Sequence, residues 1–288
     1  MPINLTVVAR TEVGLVRTSN EDSFVIADLT GGSLLGEQRI AQFEVGQRGV
    51  LLAVSDGMGG HAAGEVASAL VVESLRRSMT QQPTHGPTDA LLEKAAQRAN
   101  LEVWTAARSP GRKEMGATLT AVFIRDKTAH IAEVGDSRAY LVRSGYIQQV
   151  TRDQSYVQLM IDSGQMSPEE ARASRFSSVI LQAMGQKQDV QIALGRLDLR
   201  QRDCLVLCSD GLSSLVSADE IRAVVLASGP LDAVCDKLVE LALQRGGSDN
   251  VTVIVAGVSG DLPALKAGET ISDTLLVVQE FAPGPPVA

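Results

Sequence analysis

The sequence has few of the residues and segments that several large protein classes require. Its 288 residues include three cysteines and three histidines, and 26 basic residues stand against 34 acidic ones. No apolar run approaches the roughly 20 residues that a membrane-spanning helix needs. Residues 1–5 show no basic region followed by an apolar run, so we expect no secretory signal.

The cysteines do not form the pattern of a zinc site. Cys204 and Cys208 belong to an apolar stretch typical of a buried strand, and Cys235 stands apart from them. A zinc site needs about four ligands. The histidines are all far from these cysteines in the sequence: His61, His85 and His130. We therefore predict three small core residues in a reducing compartment, and a cytoplasmic protein.

The acidic balance excludes two further classes of partner. The formal net charge is −8, and an acidic chain gains no counterion release on nucleic acid. The same sign disfavours anionic membrane surfaces. We expect neither nucleic acid nor a membrane as a partner, whereas bound cations would offset part of the acidic charge.

The hydrophobic content of 44% is enough for one large domain or two small ones. Short apolar runs bounded by turn residues predict strands, and turns of hairpin length favour antiparallel pairing. Apolar residues at helical spacing predict helices over 62–79, 88–108 and 231–245. The predicted strands are 24–27, 50–54, 118–124, 129–134, 138–142, 204–208 and 251–255. Together, the predicted strands and helices indicate an α+β layered domain.

No internal linker divides the chain. We predict a domain over residues 1–258 and a C-terminal tail over 259–288, partly disordered at its Pro-rich end. The apolar piece 274–278 is a candidate extra strand within that tail.

Aspartates follow several predicted strands, each just before small or turn-forming residues. A single Asp-Gly pair after a strand is usually a turn. A set of carboxylates delivered from several strands is how a protein builds a Mg²⁺ or Mn²⁺ site, with water completing the octahedron. The four aspartates in this pattern are Asp56, Asp136, Asp210 and Asp249, and a fifth polar cluster spans 17–23. The set predicts a site for a hard divalent metal.

Six motifs occur in the order seen in the type 2C metal-dependent protein phosphatases, and the sequence resembles their bacterial branch most closely. The resemblance covers about residues 5–258 and leaves the tail out. The motifs are Arg17 with Asn20-Glu21-Asp22, Asp56-Gly57-Met58-Gly59-Gly60-His61, Gly116-Ala117-Thr118, Gly135-Asp136-Ser137-Arg138, Ser209-Asp210-Gly211-Leu212 and Gly247-Ser248-Asp249-Asn250-Val251-Thr252.

The resemblance implies a sandwich of two antiparallel β-sheets flanked by α-helices, with a metal cleft at one edge. It implies catalytic roles for Arg17, which would hold the phosphate, and for Glu21, which would act with Asp22 near the second metal. Asp56 would bridge two metals, and Gly57 would lend its backbone carbonyl. Asp210 and Asp249 would complete one metal, and Asp136 would join a third. The implied cofactors are two Mn²⁺ or Mg²⁺ ions, with a third as an option.

The chemistry is consistent with the residue types. Two metals roughly 3.5–4 Å apart lower the pKa of a bridging water and stabilise charge during in-line displacement at phosphorus. Arg17 offers a planar fork for phosphate oxygens. No covalent phosphoenzyme is needed, so we interpret Ser209 as a packing or turn residue rather than a nucleophile.

Two features depart from relatives of this family. Eukaryotic members carry a histidine directly after the Asp-Gly pair, and this histidine is proposed to protonate the leaving group. Met58 occupies that position here, as a methionine does in bacterial members. His61 is a candidate substitute, but an exposed or capping role is favoured, and metal-bound water is the other candidate acid. The segment 154–185 matches the flap of bacterial members but lacks their His-Pro-x-Arg run, so its substrate contacts are not carried over.

The function predicted from these observations is hydrolysis of phosphoserine and phosphothreonine on proteins, opposing a serine/threonine kinase. One alternative is a dedicated phosphatase of a single phosphorylated regulator, such as an anti-sigma-factor antagonist. A non-catalytic binding module is the other, although it predicts broken metal ligands. The expected partners are phosphorylated proteins and a cognate kinase, and the default oligomeric state is a monomer.

Overall fold

The computed structural model describes residues 2–33, 40–59, 62–82, 85–109, 115–227 and 229–283. Within these ranges the strands are β1 Ile3–Glu12, β2 Asp22–Asp28, β3 Ile40–Glu44, β4 Val50–Met58, β5 Gly116–Ala117, β6 Leu119–Arg125, β7 Thr128–Val134, β8 Arg138–Arg143, β9 Tyr146–Gln149, β10 Ala193–Asp198, β11 Cys204–Cys208, β12 Val251–Gly260 and β13 Leu275–Gln279. The helices are α1 Ala62–Gln81, α2 Thr88–Ala106, α3 Tyr156–Asp162, α4 Pro168–Ala173, α5 Asp210–Ser213, α6 Ala218–Ala227 and α7 Leu231–Gln244.

The strands form two antiparallel sheets that pack face to face. One sheet has the order β3-β1-β12-β11-β8-β9. The other has the order β13-β10-β7-β6-β4-β2, and β5 pairs with the end of β4. The predicted sandwich of antiparallel sheets with flanking helices is confirmed.

Both faces of the central strands are buried, which explains their nearly continuous apolar sequences. On β4, Leu52 and Val54 belong to the cluster between the sheets. Leu51 and Ala53 alternate with them and pack against α1 and α2. The outer face of the other sheet is covered by α7, through residues such as Leu238.

The three helices predicted from apolar spacing are present with small shifts at their ends. The first runs two residues further than predicted, to Gln81, and the second ends at Ala106. The third ends at Gln244, one residue before Gly246-Gly247. All three cysteines are buried free thiols, as predicted for core residues.

The chain after the predicted domain boundary is folded against the sheets. β12 continues to Gly260, and β13 pairs antiparallel with β10. The candidate strand 274–278 therefore exists, displaced by one residue. Leu262 and Ile271 join the core between the sheets, while the predicted disordered end, 284–288, lies outside the described residues.

Two buried arginines connect this tail to the rest of the molecule. Arg143 forms an ion pair with Asp203 and donates a 2.6 Å hydrogen bond to Thr274 Oγ1. Arg200 forms a two-pronged ion pair with Glu269.

The segment 154–185, predicted as a flap, contains α3 and α4. No helix within the described ranges is both long and apolar enough to cross a membrane.

Candidate metal centre

Asp22 and Asp56 face each other across two neighbouring strands. They are register partners in the antiparallel pair of β2 and β4. Like charges in directly opposite positions destabilise a sheet, so this pair favours a counter-charge between or beside the two carboxyl groups. Burial is the main cause that raises the pKa of Asp56 well above its usual range, and the Asp22 charge adds to it.

Asp56 does not follow the end of a strand, as its sequence pattern suggested. β4 continues through Asp56 to Met58, because Gly57 and Met58 pair with β5. The backbone N–H of Asp56 donates to Thr118 Oγ1 at 2.9 Å, and Thr118 N–H donates back to Asp56 O at 2.8 Å. The carboxylate therefore projects from a hydrogen-bonded strand, which fixes its position more firmly than a turn.

Gly57 and Gly64 allow a close approach of three backbone segments. A Cβ on Gly57 would overlap the carbonyl oxygen of Gly64 and crowd that of Glu21, and a Cβ on Gly64 would overlap the Glu21 carboxylate. The Glu21 side chain thus lies over the first turn of α1. The N–H of Gly57 donates to Glu21 O at 3.1 Å. The sequence-predicted residues Glu21 and Gly57 are therefore brought together where a larger residue at position 57 would clash with two backbone carbonyls, and a larger residue at position 64 would displace the Glu21 carboxylate.

Asp22 is buried and has one oxygen without a partner. Ser209 Oγ donates to Asp22 Oδ2 at 2.7 Å, and Thr252 N–H donates to Ser209 Oγ at 3.0 Å. The other oxygen, Oδ1, has no hydrogen-bond partner among the described residues. Burial raises the pKa of Asp22 to about 7, against the lowering effect of the Ser209 hydrogen bond. Ser209 is buried and committed to these two contacts, which agrees with its interpretation as a non-nucleophile.

Asp210 and Asp136 complete an acidic cluster around this pair. Asp210 is the first residue of α5, and its buried Oδ1 also lacks a partner within the described ranges. Burial, followed by the Asp249 charge, raises the pKa of Asp210. Burial and then the Asp210 charge raise the pKa of Asp136 well above its usual range. Carboxyl groups that raise one another's pKa in this way are preorganised for a cation.

Arg17 contacts Asp249 in this structure. Its Nη2 donates to Asp249 Oδ2 at 2.7 Å, and both side chains are partly exposed. This hydrogen bond is the largest cause that raises the pKa of the Arg17 guanidinium. The predicted phosphate-binding residue and the predicted metal ligand therefore lie side by side at the open edge of the cluster.

The turn that carries Asp136 is held by Gln154. Gly135, which adopts φ 101°, donates its N–H to Gln154 Oε1 at 2.9 Å, and Gln154 N–H donates to Gly135 O at 2.8 Å. Next to it, Arg138 forms a two-pronged ion pair with Asp153. Neither Gln154 nor Asp153 was singled out from the sequence, because their role depends on a contact with a different strand.

Asn250 organises the first-motif loop, which the sequence analysis also missed. Its Oδ1 accepts from Glu21 N–H at 2.8 Å. Its Nδ2 donates to the carbonyl oxygens of Val13 and Ser19. The Asp-Asn pair in the sequence was the available signal, since a buried Asn beside a candidate ligand commonly satisfies loop backbone. His61 lies outside the described residues.

The donor set fits a hard divalent cation that keeps several waters. Among the described residues, no three His, Cys, Asp or Glu side chains already converge on one point. Mg²⁺ and Mn²⁺ sites use one or two carboxylates per ion together with water. The unpartnered buried oxygens of Asp22 and Asp210 provide such ligands without a closed protein cage.

A cleft of 540 Å³ opens beside the acidic cluster. Its lining includes Asp136, Asp210 and Asp249 together with side chains from α3 and α4. The cleft therefore joins the candidate metal centre to the segment predicted as a flap. It is large enough for a phosphorylated side chain and part of its peptide.

Comparison with known proteins identifies the family. The family described as protein phosphatase 2C matches residues 38–242. The chain belongs to this family. The resemblance predicted from the six motifs is confirmed, and the antiparallel sandwich is that of solved bacterial members.

Individual relatives agree with this assignment. The serine/threonine protein phosphatase PstP of Mycobacterium tuberculosis is 39% identical over 251 residues, which is 87% of this chain and 44% of that protein. The chain thus spans less than half the length of this relative. The protein phosphatase PhpP of Streptococcus pneumoniae is 32% identical over 86% of this chain and 96% of its own. A solved structure of the PstP catalytic domain in complex with two manganese ions is 36% identical, with a TM-score of 0.75, and covers 90% of this chain and 100% of that chain.

Proposed function

We propose that the chain is a metal-dependent phosphatase that hydrolyses phosphoserine and phosphothreonine on proteins. The observation that carries the proposal is the pair of buried carboxylate oxygens on Asp22 and Asp210 that have no partner in the described part of the chain. They lie beside Asp56, within a chain that belongs to the protein phosphatase 2C family. The relative named a serine/threonine protein phosphatase supports the substrate class.

In the proposed site, Asp56, Asp210 and Asp249 hold the metals, together with the backbone carbonyl of Gly57. Asp22 acts at the second metal with the catalytic residue Glu21. When bound, a pair of divalent cations supplies an activated water nucleophile and neutralises charge on the phosphate oxygens. The manganese ions in the related catalytic domain support Mn²⁺ as the first ion to test.

Arg17 positions the phosphate in this mechanism. Its guanidinium presents parallel N–H donors that match two phosphate oxygens. It is half-exposed at the edge of the cleft, so an incoming phosphate can replace Asp249 as its acceptor. This exchange would leave the Asp249 carboxylate free to act as the metal ligand proposed above. Hydrolysis by water requires no nucleophilic side chain, which agrees with the buried position of Ser209.

Asp136 is proposed to hold a third, more weakly bound cation. Asp136 lines the cleft together with Asp210 and with side chains of α3 and α4. A site with one protein carboxylate and many waters binds Mg²⁺ or Mn²⁺ weakly, since affinity depends on ligand charge.

We further propose a cytoplasmic, monomeric protein whose substrates are the products of a cognate serine/threonine kinase. A dedicated phosphatase of one regulator is the alternative substrate range. The domain is proposed to span 1–258, with 259–288 as an appended segment, although the contacts of Leu262 and Ile271 tie that segment to the core.

A turnover assay on a phosphothreonine peptide with Mn²⁺, Mg²⁺ or EDTA tests the proposal. We expect release of phosphate with either metal and none with EDTA. Asp210→Asn removes a charged ligand and should abolish turnover, whereas Asp219→Asn, at a position 84% exposed on α6, should not change it. Turnover by a folded Asp210→Asn variant near the wild-type rate at saturating Mn²⁺ would contradict the ligand assignment. No turnover by the wild-type chain with either metal would favour a binding module.

A further inference from the structure

A second cavity, of 280 Å³, lies at the edge of the interface between the two sheets. Its walls come from β7, β10 and β13 of one sheet and from residues 149–155 at the edge of the other. Side chains of α3 and the segment 279–283 close its sides. The volume is at the small end of the range for ligand pockets, so it suits a single ring with a short arm.

A buried glutamate lines this cavity. Glu133 on β7 is 2% exposed. Its Oε2 accepts a 2.8 Å hydrogen bond from the backbone N–H of Arg152, whereas its Oε1 has no partner among the described residues. The strand pairing of β7 with β10 places Ala193 directly opposite Glu133, and both residues line the cavity. Buried polar atoms in proteins are normally hydrogen-bonded, so a ligand with a hydrogen-bond donor would satisfy Glu133 Oε1.

The charges around the cavity favour a cationic donor. Arg152 pairs with Asp162 at 2.7 Å, and Asp153 pairs with Arg138 at 2.6 Å. These pairings leave Glu133 without an ion-pair partner in the described part of the chain. Burial raises the pKa of the Glu133 carboxyl well above its usual range. An ammonium group provides N–H donors together with the positive charge that favours the ionised carboxylate, whereas an anionic ligand would be repelled by the acidic excess.

The remaining walls of the cavity are mostly apolar. A ligand that fills them needs an apolar body rather than a second polar group, because unpaired polar atoms are costly to bury. The apolar lining residues are Ile131, Leu159, Leu181, Leu194, Leu275 and Val277.

We propose that this cavity is a binding site for a small organic ammonium ion, with an apolar ring in the cavity and its ammonium group donating to Glu133. The inference is distinct from the proposed catalytic function and does not depend on it for binding.

The site is placed to influence the turn that carries Asp136. Gln149 and Asp153 line both this cavity and the cleft beside the metal centre. Gln154, which also lines the cavity, holds Gly135 through two hydrogen bonds and donates to Glu133 O at 3.2 Å. A ligand in the cavity therefore contacts residues that fix the Asp136 turn, and its occupancy is coupled to the metal dependence of the chain.

Methyl NMR on the full chain tests the binding site directly. Benzylammonium, benzyl alcohol and benzoate are titrated separately into the metal-free protein. We expect saturable shifts at the methyl groups of Leu159, Leu181 and Leu275 with benzylammonium, about ten-fold weaker binding of benzyl alcohol, and no binding of benzoate in the same range. No saturable shift with any probe, or equal binding of benzoate, overturns the proposal.

Two variants locate the binding. Glu133→Gln keeps the shape of the side chain and removes its charge, so benzylammonium affinity should fall about ten-fold while benzyl alcohol affinity stays unchanged. Ala193→Leu enlarges the cavity-lining side chain opposite Glu133 and should block both probes, whereas Glu44→Gln, on exposed β3, should alter neither. Unchanged benzylammonium binding in a folded Glu133→Gln variant overturns the site. Should that variant not fold, the ranking of the three probes on the wild-type chain decides the question.

The coupling is measured separately. The Mn²⁺ concentration for half-maximal phosphopeptide turnover should shift about five-fold on saturation with benzylammonium. The shift should vanish in Ala193→Leu. An unchanged Mn²⁺ dependence together with confirmed NMR binding overturns the regulatory part. Absence of turnover concerns the proposed catalytic function alone, because binding is observed without it.

Discussion

Ser209 donates its hydroxyl hydrogen bond to Asp22 over 2.7 Å, although the two residues are 187 positions apart in the chain. The hydroxyl also accepts from the backbone N–H of Thr252, so its direction is fixed. Asp22 therefore presents its free Oδ1, rather than a rotating carboxyl, to the acidic cluster. The serine next to a candidate metal ligand acts as a positioning residue in this arrangement.

Ser209→Ala should weaken metal binding without unfolding the protein. The Asp22 carboxylate loses a hydrogen bond, which for a charged group contributes about 1.5–3 kcal/mol. We expect the Mn²⁺ concentration for half-maximal activity to rise by at least about ten-fold, with kcat at saturating metal largely restored. Calorimetric Mn²⁺ titration measures the change. Ser163→Ala, at an exposed position after α3, is the control, and equal Mn²⁺ affinity in the two variants would remove this role from Ser209.

The local elements of the fold could be predicted because their signals are local. The stripe of α1 and the Gly246-Gly247 stop after α7 lie within one stretch of sequence each. The continuation of β4 past Asp56 could not be predicted, since it depends on pairing with β5. A turn signal such as Asp-Gly is overridden where another strand supplies hydrogen-bond partners.

For the candidate site, too, the sequence predicts some features and not others. The residue types of the acidic cluster follow from the sequence motifs. The contacts that position them do not, because Arg17 reaches Asp249 across 232 positions and Asn250 reaches Glu21 across 229. The opposition of Asp22 and Asp56 depends on the register of two strands, which a single sequence does not specify.

Asp22 also makes the stability of the metal-free protein depend on pH. Burial raises the pKa of its carboxyl from 3.8 to about 7, so between these values the folded chain binds a proton that the unfolded chain has lost. The resulting stabilisation is complete below the unfolded pKa and is lost as the pH rises through 7. We expect the free energy of unfolding in EDTA to fall by about 2 kcal/mol from about pH 5.5 to pH 8 as a result of this group.

Urea unfolding of wild type and Asp22→Asn at both pH values isolates that contribution. The difference between the two proteins cancels the titration of groups that do not interact with Asp22, such as His130, and retains the effect of the Asp22 charge on the pKa of Asp56. Saturating Mn²⁺ should remove the loss of stability at high pH, because a bound cation replaces the proton. Parallel pH profiles for the two proteins in EDTA would show that the Asp22 pKa is not raised.

Arg17→Ala should lower kcat/KM by a factor that corresponds to about 2–3 kcal/mol of activation free energy. This is the cost of a lost charged hydrogen-bonding partner. Calorimetric Mn²⁺ affinity should not decrease, since the present partner of Arg17 is a carboxylate that the metal can occupy. Arg17→Lys should recover only part of the rate, because an ammonium lacks the planar fork. A loss of Mn²⁺ affinity as large as that of Asp210→Asn would reassign Arg17 to the metal site itself.

The variant Asp136→Ala distinguishes a role of Asp136 in binding a third cation from a purely structural role in its turn. With a weak third cation, the variant should retain two tightly bound metals, lose much of its turnover and require a different Mn²⁺ concentration. Metal stoichiometry and turnover across a Mn²⁺ titration provide the measurement, with thermal unfolding as the control. An unchanged activity curve with a lowered melting temperature would instead assign Asp136 to the turn alone.

Side chains of the C-terminal tail complete buried contacts of the sandwich. A chain that stops after Gly260 loses Leu262 and Ile271 from the core and leaves Arg143 without its Thr274 acceptor. Burying one such aliphatic side chain contributes about 1.5–3 kcal/mol, and an unmet buried donor costs about 1–3 kcal/mol. The entropy of ordering the segment offsets part of this total.

We therefore expect a net loss of about 3 kcal/mol, or a fall in melting temperature of roughly 10 °C for a domain of this size. A chain that stops after Pro283 retains all these contacts and is the matched control. The variant Thr274→Val tests one contact alone, since it removes the acceptor for Arg143 Nη1 and keeps the shape of the side chain. Equal melting temperatures for the two truncated chains would place the boundary of the domain near residue 258. A fall confined to the shorter chain would make residues 261–279 part of the domain that carries the metal centre.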